Sequence, residues 1–224
     1  MIPPILLTGC ARSGTSMTAA IVHMCGAFGG KMSGPTPNNR KGMFENTEIR
    51  NSIIKPYLRS IKMDPLGQDP LPDVKNLDEM SDLRERVEWA MKWQGFTRGP
   101  WFYKGAKLCL IWPLWQTAFP EAKWIIVRRR DDDIARSCAR TTFMRAFGDN
   151  YLDWYKWITH HKERFEEMKK VLDVREVWPT KFVQGDYSEI ESVIRWLGLE
   201  WKEEAAREFV NPEWYRSVSG KGSI

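Results

Sequence analysis

Apolar residues fall in short runs separated by glycine- or charge-rich stretches, and the spacing inside each run predicts its element. Ile5–Thr8 is a continuous apolar run that stops at Gly9, the pattern of a buried strand. From Ser13 to about Cys25, Met17, Ala20, Ile21 and Met24 recur at helical spacing. Residues 26–39 hold four glycines and two prolines and read as loop. Helical periodicity returns over Phe44 to about Ile61, interrupted at Pro56, and over Asp78–Gly95 through Leu83, Val87 and Met91. A proline-rich irregular stretch, residues 64–76, lies between them.

In the second half, Trp101–Tyr103 is a short strand candidate and Pro113–Phe119 a short helix with proline near its start. Lys123–Val127, "KWIIV", is the strongest strand, β-branched and flanked by charge. Asp133 is placed as the cap of a helix running to about Phe147. Asn150–Leu172 forms a long amphipathic helix with Tyr151, Trp154, Ile158, Phe165, Met168 and Leu172 on one side. Lys181–Gln184 is the last strand candidate, followed by helices at about Ser188–Leu197 and Lys202–Val210. Strands alternating with helices predict an α/β fold: a P-loop-type parallel sheet with helices on both faces. With no repeat or linker, residues 1–224 read as one domain.

The charge adds direction. The chain carries a formal net charge of +5, which suits an anionic ligand. No run of Lys and Arg exceeds three residues, and Arg128–Arg130 are followed at once by Asp131–Asp133, so compact anion binding is expected and a nucleic-acid partner is not. The twelve tryptophans are expected mainly in the core. The four cysteines, Cys10, Cys25, Cys109 and Cys138, form no Cys-x-x-Cys pair. His23, His160 and His161 read as packing or surface residues, and no metal is expected. Residues 1–7 lack a basic start and run into the glycine loop, and no apolar run reaches the ~18 residues of a bilayer span. The expectation is a reduced, cytoplasmic protein.

The chemistry concentrates at "LLTGCARSGTSMTAA", residues 6–20. Gly9, four residues, Gly14 and two hydroxyl residues between a strand and a helix reproduce most of a phosphate-binding loop, whose backbone N–H groups curl around an anion at a helix N-terminus. The lysine that the P-loop pattern puts after its second glycine is missing. Thr15 stands there, and the nearest cation is Arg12 inside the loop. A second basic element, "IIVRRRDDDIARSCAR", sets Arg129 just past a strand end and Ser137 eight residues on, with Asp133, Ser137 and Arg140 on one helical face. An arginine and a hydroxyl so placed can grip a second phosphate. Asp131–Asp133 read as helix capping and local charge compensation.

On these residues the chain resembles the sulfotransferases that use 3′-phosphoadenosine 5′-phosphosulfate (PAPS). Arg12, Ser13, Gly14, Thr15 and Ser16 match the 5′-phosphosulfate loop, with Ala11 in place of its usual proline, and Arg129, Asp133 and Ser137 fall on the 3′-phosphate motif. "NNRKGMFE" (38–45) is similar to an Asn-Pro-x-Gly-aromatic-Glu segment of the bacterial branch. "YKGAKLCLIWPLW" (103–115) is similar to a Lys-Asp-Pro-Arg-Leu segment, with Lys104 and Lys107 on its basic positions. "VQGDYSEIESVIRWLGLEW" (183–201) is similar to a C-terminal Tyr-Glu-Asp-Leu…Leu-Gly-Leu segment. Gly105-Ala106 in place of Asp-Pro, and Gly185 in place of the tyrosine, depart from the family.

The resemblance implies sulfuryl transfer from PAPS, leaving PAP, to a hydroxyl or amine of a small-molecule or glycan acceptor, without a metal. It puts Arg12, Ser13, Gly14, Thr15, Ser16, Arg129 and Ser137 on the donor. Arg12, with Lys104 or Lys107 assisting, stabilises charge on the bridge and the leaving phosphate. Glu45, desolvated by Phe44 so that its pKa rises, is the candidate base. Two rival readings are a P-loop small-molecule kinase, against which the missing lysine counts, and a nucleotide-binding relative without turnover. Neither the acceptor nor the oligomeric state is read from the sequence.

Overall fold

Four strands, β1 (Ile5–Gly9), β2 (Phe102–Lys104), β3 (Lys123–Val127) and β4 (Asp173–Val177), form one all-parallel sheet in the order β2-β1-β3-β4. This is the architecture of a computed structural model that describes residues 2–215 of the chain. Leu6 pairs with Tyr103 on one side and with Trp124 on the other, so β1 sits inside the sheet, and all five of its residues are buried. Such double burial is what its continuous apolar run reports.

Alternation along the strands divides two cores. Leu6, Tyr103, Trp124 and Ile126 face one core, which α2 (Lys55–Ser60), α3 (Leu83–Trp93), α4 (Trp112–Ala118), α5 (Asp131–Ala139) and α6 (Tyr151–Val171) cover. Ile5, Leu7, Phe102, Ile125 and Val127 face the other. It is covered by α1 (Thr15–Met24), α7 (Pro179–Val183), α8 (Ser188–Trp196) and α9 (Glu203–Phe209). The parallel sheet with helices on both faces is thus as the sequence predicts. Trp101, Trp115, Trp124, Trp154 and Trp157 are buried in the first core.

Several expected boundaries are corrected. Lys181–Gln184 is not a strand: Pro179–Val183 is helical, with Pro179 where a helix tolerates proline. The fourth strand is Asp173–Val177, an edge strand whose Asp173 and Arg175 are exposed. The helix after β3 begins at Asp131, so Arg130 holds the cap position and Asp133 lies buried inside the first turn. It ends at Ala139, well short of Phe147. There the Gln68 side chain accepts from the N–H groups of Arg145 (2.7 Å) and Ala146 (3.0 Å) and donates to the Phe143 carbonyl, satisfying this stretch without a helix. Tyr151 is exposed, and Leu172 is half-buried against the first core.

The expected helix over 44–61 starts later, as a π-helical turn over Ile49–Ile54 that passes into α2. Asn46 caps the turn by accepting from the N–H groups of Glu48 and Ile49 (3.1 Å each). Pro56 has no N–H to offer the Ser52 carbonyl, which instead accepts from Arg86 at 2.7 Å.

Candidate active site

The chain leaves β1, builds β2 on one side of it, then crosses to build β3 on the other. In open α/β sheets that reversal opens a crevice outside the carboxyl ends of the strands. Every sequence-predicted site residue gathers there. Arg12–Ser16 follow β1, Lys104 ends β2, Lys107 lies in the 3₁₀ turn Ala106–Leu110 after it, and Arg129 follows β3.

The loop between β1 and α1 is shaped by close backbone approach. A Cβ on Gly9 would stand 2.6 Å from the Val127 carbonyl oxygen, and one on Gly14 (φ +101°) would stand 2.9 Å from Pro179. Both positions therefore require glycine. Arg12 itself has φ +72°, an uncommon conformation for a non-glycine residue that carries its backbone around the bend. The Ser13 hydroxyl is fully buried and has no hydrogen-bond partner among the described residues.

The two basic motifs meet. Arg12 donates through Nε to Ser137 Oγ at 3.0 Å, and through Nη1 to the Asn38 carbonyl (3.2 Å) and Asn39 Oδ1 (3.4 Å). Arg129 donates to the Arg12 carbonyl at 2.9 Å, faces Asp133 at 3.9 Å, and lies under the Tyr215 ring, 4.4 Å from its centroid. Residues 31–47 form a strap over the loop. It is tied at Asn38 to Thr142 (3.1 Å), through the Lys41 ammonium to the Phe209 carbonyl, and by the Thr36–Asn39 bridge within itself.

A cation reaches the loop from the neighbouring strand. Lys104 Nζ reaches Ser16 Oγ at 3.5 Å. Behind it sits a sealed charge cluster in which Glu45 faces Lys107 at 3.5 Å and Lys104 at 3.9 Å, all three buried. Two ammonium groups share one carboxylate. Burial alone would raise the Glu45 pKa, but the lysines overrule it and hold the carboxyl below its ordinary range. This corrects the expectation of a raised pKa. The Phe44 ring packs edge-on against Phe209. Burial pushes Lys104 down to about 8, only partly offset by Glu45.

One buried polar group of this crevice escaped the sequence reading. The Tyr103 hydroxyl is sealed from solvent, makes no hydrogen bond of ordinary geometry among the described residues, and lies beside Glu45, which together with burial pushes its pKa well up. Its oxygen would stand 3.2 Å from a Cβ on Gly105, so the glycine leaves room for this phenol.

The acidic run after β3 is engaged locally. Asp131 pairs with Lys162 (2.8 Å), Asp132 accepts from Tyr155 (2.5 Å), and Asp133 faces Arg129. Charge compensation is as expected; capping is not. His23 is exposed, His160 lies on the surface, and His161 is buried with its pKa lowered to about 3 by burial. All four cysteines are buried and unpaired. Among the described residues no His, Cys, Asp and Glu group is arranged to hold a metal ion, and no helix is long and apolar enough to cross a membrane.

The same arrangement of sheet and helices is found in known enzymes. Over its whole length the chain superposes on sulfotransferase STF9 from Mycobacterium avium with a TM-score of 0.61 at 12% identity, covering 70% of that chain. It also superposes on sulfotransferase STF1 from Mycobacterium tuberculosis H37Rv with a TM-score of 0.51 at 13% identity, covering 74% of that chain. The fold is therefore a sulfotransferase fold. No protein-family model and no curated sequence matches the chain.

Proposed function

We propose that the chain is a sulfotransferase that moves a sulfuryl group from PAPS to an acceptor hydroxyl or amine. The observation that carries this reading is the convergence of Arg12, Lys104 and Ser137 on one glycine-shaped loop: cations from the loop and from β2, and the hydroxyl of the second phosphate motif. A donor with two phosphates fits it. The orphaned Ser13 hydroxyl and the amides of Gly14–Ser16 suit the 5′-phosphosulfate, and Arg129 and Ser137 suit the 3′-phosphate.

The bound donor supplies the activated sulfuryl group. The chain's residues align it and stabilise charge, which is most of what an in-line transfer needs. Arg12 and Lys104 face the bridge and the leaving phosphate. Glu45, kept ionised by Lys107 and Lys104, accepts the acceptor's proton. Its lysine partners weaken it as a base, which suits an acceptor hydroxyl that acidifies as the new bond forms. Lys107 holds the carboxylate in place.

Thermal denaturation with PAP, PAPS, ATP and ADP, each with and without Mg²⁺, tests the reading. PAP should stabilise the fold without metal, by about 2.7 kcal/mol at a hundredfold excess over Kd. A response to ATP with Mg²⁺ and none to PAP would replace it with a kinase.

A further inference from the structure

Two tryptophans of α3, Trp89 and Trp93, lie one helical turn apart on its outer face. They remain 61% and 66% exposed, with rings parallel (5°) and centroids 6.0 Å apart. The other tryptophans whose side chains are described are buried or half-buried. Trp89 forms one wall of a groove of about 480 Å³ between α3 and the π-helical turn. Ile53 and Ala90 make its apolar floor, and Glu48, Ser52, Glu85 and Arg86 its polar wall. That volume is within the range of small-molecule sites.

Three features mark the groove. A π-helical turn is rare and recurs at functional sites. An exposed pair of indoles is a large apolar surface left in water. The carboxylates of Glu48 and Glu85 have no hydrogen-bond or ion-pair partner among the described residues. Arg86, the cation of this wall, is already engaged: it donates to the Ser52 carbonyl at 2.7 Å and faces Asp82 at 3.9 Å. A chain of net charge +5 thus presents an acidic, aromatic groove.

We propose that this groove binds an aliphatic ammonium group, seated on the indole face of Trp89 with Glu48 and Glu85 as its counter-charges. A cation is drawn to the negative face of an indole. Carboxylates offer only acceptors and an ammonium only donors, so the two inventories match. An apolar ligand would strip water from two carboxylates without compensation, and an anion would be repelled. The proposal is independent of the chemistry at the phosphate loop.

The full chain, titrated with n-butylammonium chloride and followed by its indole N–H NMR signals, tests it, with Trp89→Phe identifying the signal of Trp89. That signal should move to saturation, and the affinity should fall with added salt. Trp89→Ala should weaken binding roughly two- to fivefold, and the Glu48→Gln/Glu85→Gln pair about tenfold. Unchanged thermal midpoints should accompany both, since Trp89 and Glu85 are exposed. Neutral n-butanol and methyl glucoside are the controls. The proposal is overturned if methyl glucoside moves the Trp89 signal as strongly as butylammonium, which would make the groove a carbohydrate site. It is equally overturned if butylammonium leaves the signal in place, or if the paired glutamine variant binds it unchanged.

Discussion

Arg12 meets Ser137 at 3.0 Å across a half-buried contact, whereas Glu45 meets Lys107 and Lys104 at 3.5 and 3.9 Å with all three side chains nearly sealed. The first is a short, directional hydrogen bond between side chains that a ligand can displace. The second is a longer charge contact that depends on the low dielectric around it. Removing a partner from the first leaves groups within reach of water or ligand. Removing one from the second leaves a charge stranded in the interior. The difference makes the loop contact the readier of the two to give way to a ligand, while the sealed cluster holds Glu45 and Lys104 charged and in place.

The hardest test of that contrast is Glu45→Ala, which strands two ammonium groups. Urea denaturation should show a loss of about 3–5 kcal/mol. A loss near that of a surface ion pair, about 1 kcal/mol or less, would mean that the lysines find water and that the cluster is not sealed.

Next in size is the pH dependence of PAP binding. Lys104 titrates at about 8, below its usual value, and it is the protonated form that attracts an anion. Affinity should therefore be full below that pH and fall as pH rises through it, by about tenfold if one charge-assisted contact is lost. Calorimetric titrations from pH 7 to 9.5 measure this. Lys104→Arg, which keeps its proton, should flatten the profile; an unaltered fall in that variant would assign the step to another group.

Ser137→Ala should have a smaller effect, weakening PAP roughly two- to tenfold, the value of a neutral hydrogen bond. Adenosine 5′-phosphosulfate lacks the 3′-phosphate and should bind the variant as it binds the parent. Equal losses for both ligands would make Ser137 only a support for Arg12. The smallest effect belongs to Tyr103→Phe. Removing a buried hydroxyl that makes no hydrogen bond of ordinary geometry among the described residues should leave stability unchanged or raise it by up to about 1 kcal/mol, as read by thermal denaturation. A clear loss would reveal a bond from the phenol that the present geometry lacks.

What the sequence made legible follows the range of the interactions. β1, the phosphate loop and β3 are set by neighbours in the chain, and their patterns read directly. β4 did not, because as an edge strand it carries Asp173, Arg175 and Glu176 and buries only Val177 fully. "PTKFV" imitated a strand through Phe182 and Val183, although Pro179 already marked a helix start. α5 appeared longer than it is because the stretch beyond its end, at Phe143, Arg145 and Ala146, is held by Gln68, more than seventy residues away. Glu45 was identifiable as a residue, but its environment was not. Its lysines arrive from β2 and the turn after it, 62 residues on in the case of Lys107, and they reverse the effect of burial on the carboxyl. The anomaly at Gly105 was visible, but the phenol it accommodates lies two positions back, on β2, and emerges only in three dimensions.

The contact of Gly14 with Pro179, and of Arg129 with Tyr215, has a consequence for biosynthesis. The ribosome makes the glycine loop some two hundred residues before Tyr215. Until then the loop lacks its backing and Arg129 its aromatic cover, so early segments wait on late ones. Ligand competence should appear in one step when these distant pieces dock, rather than growing with chain length.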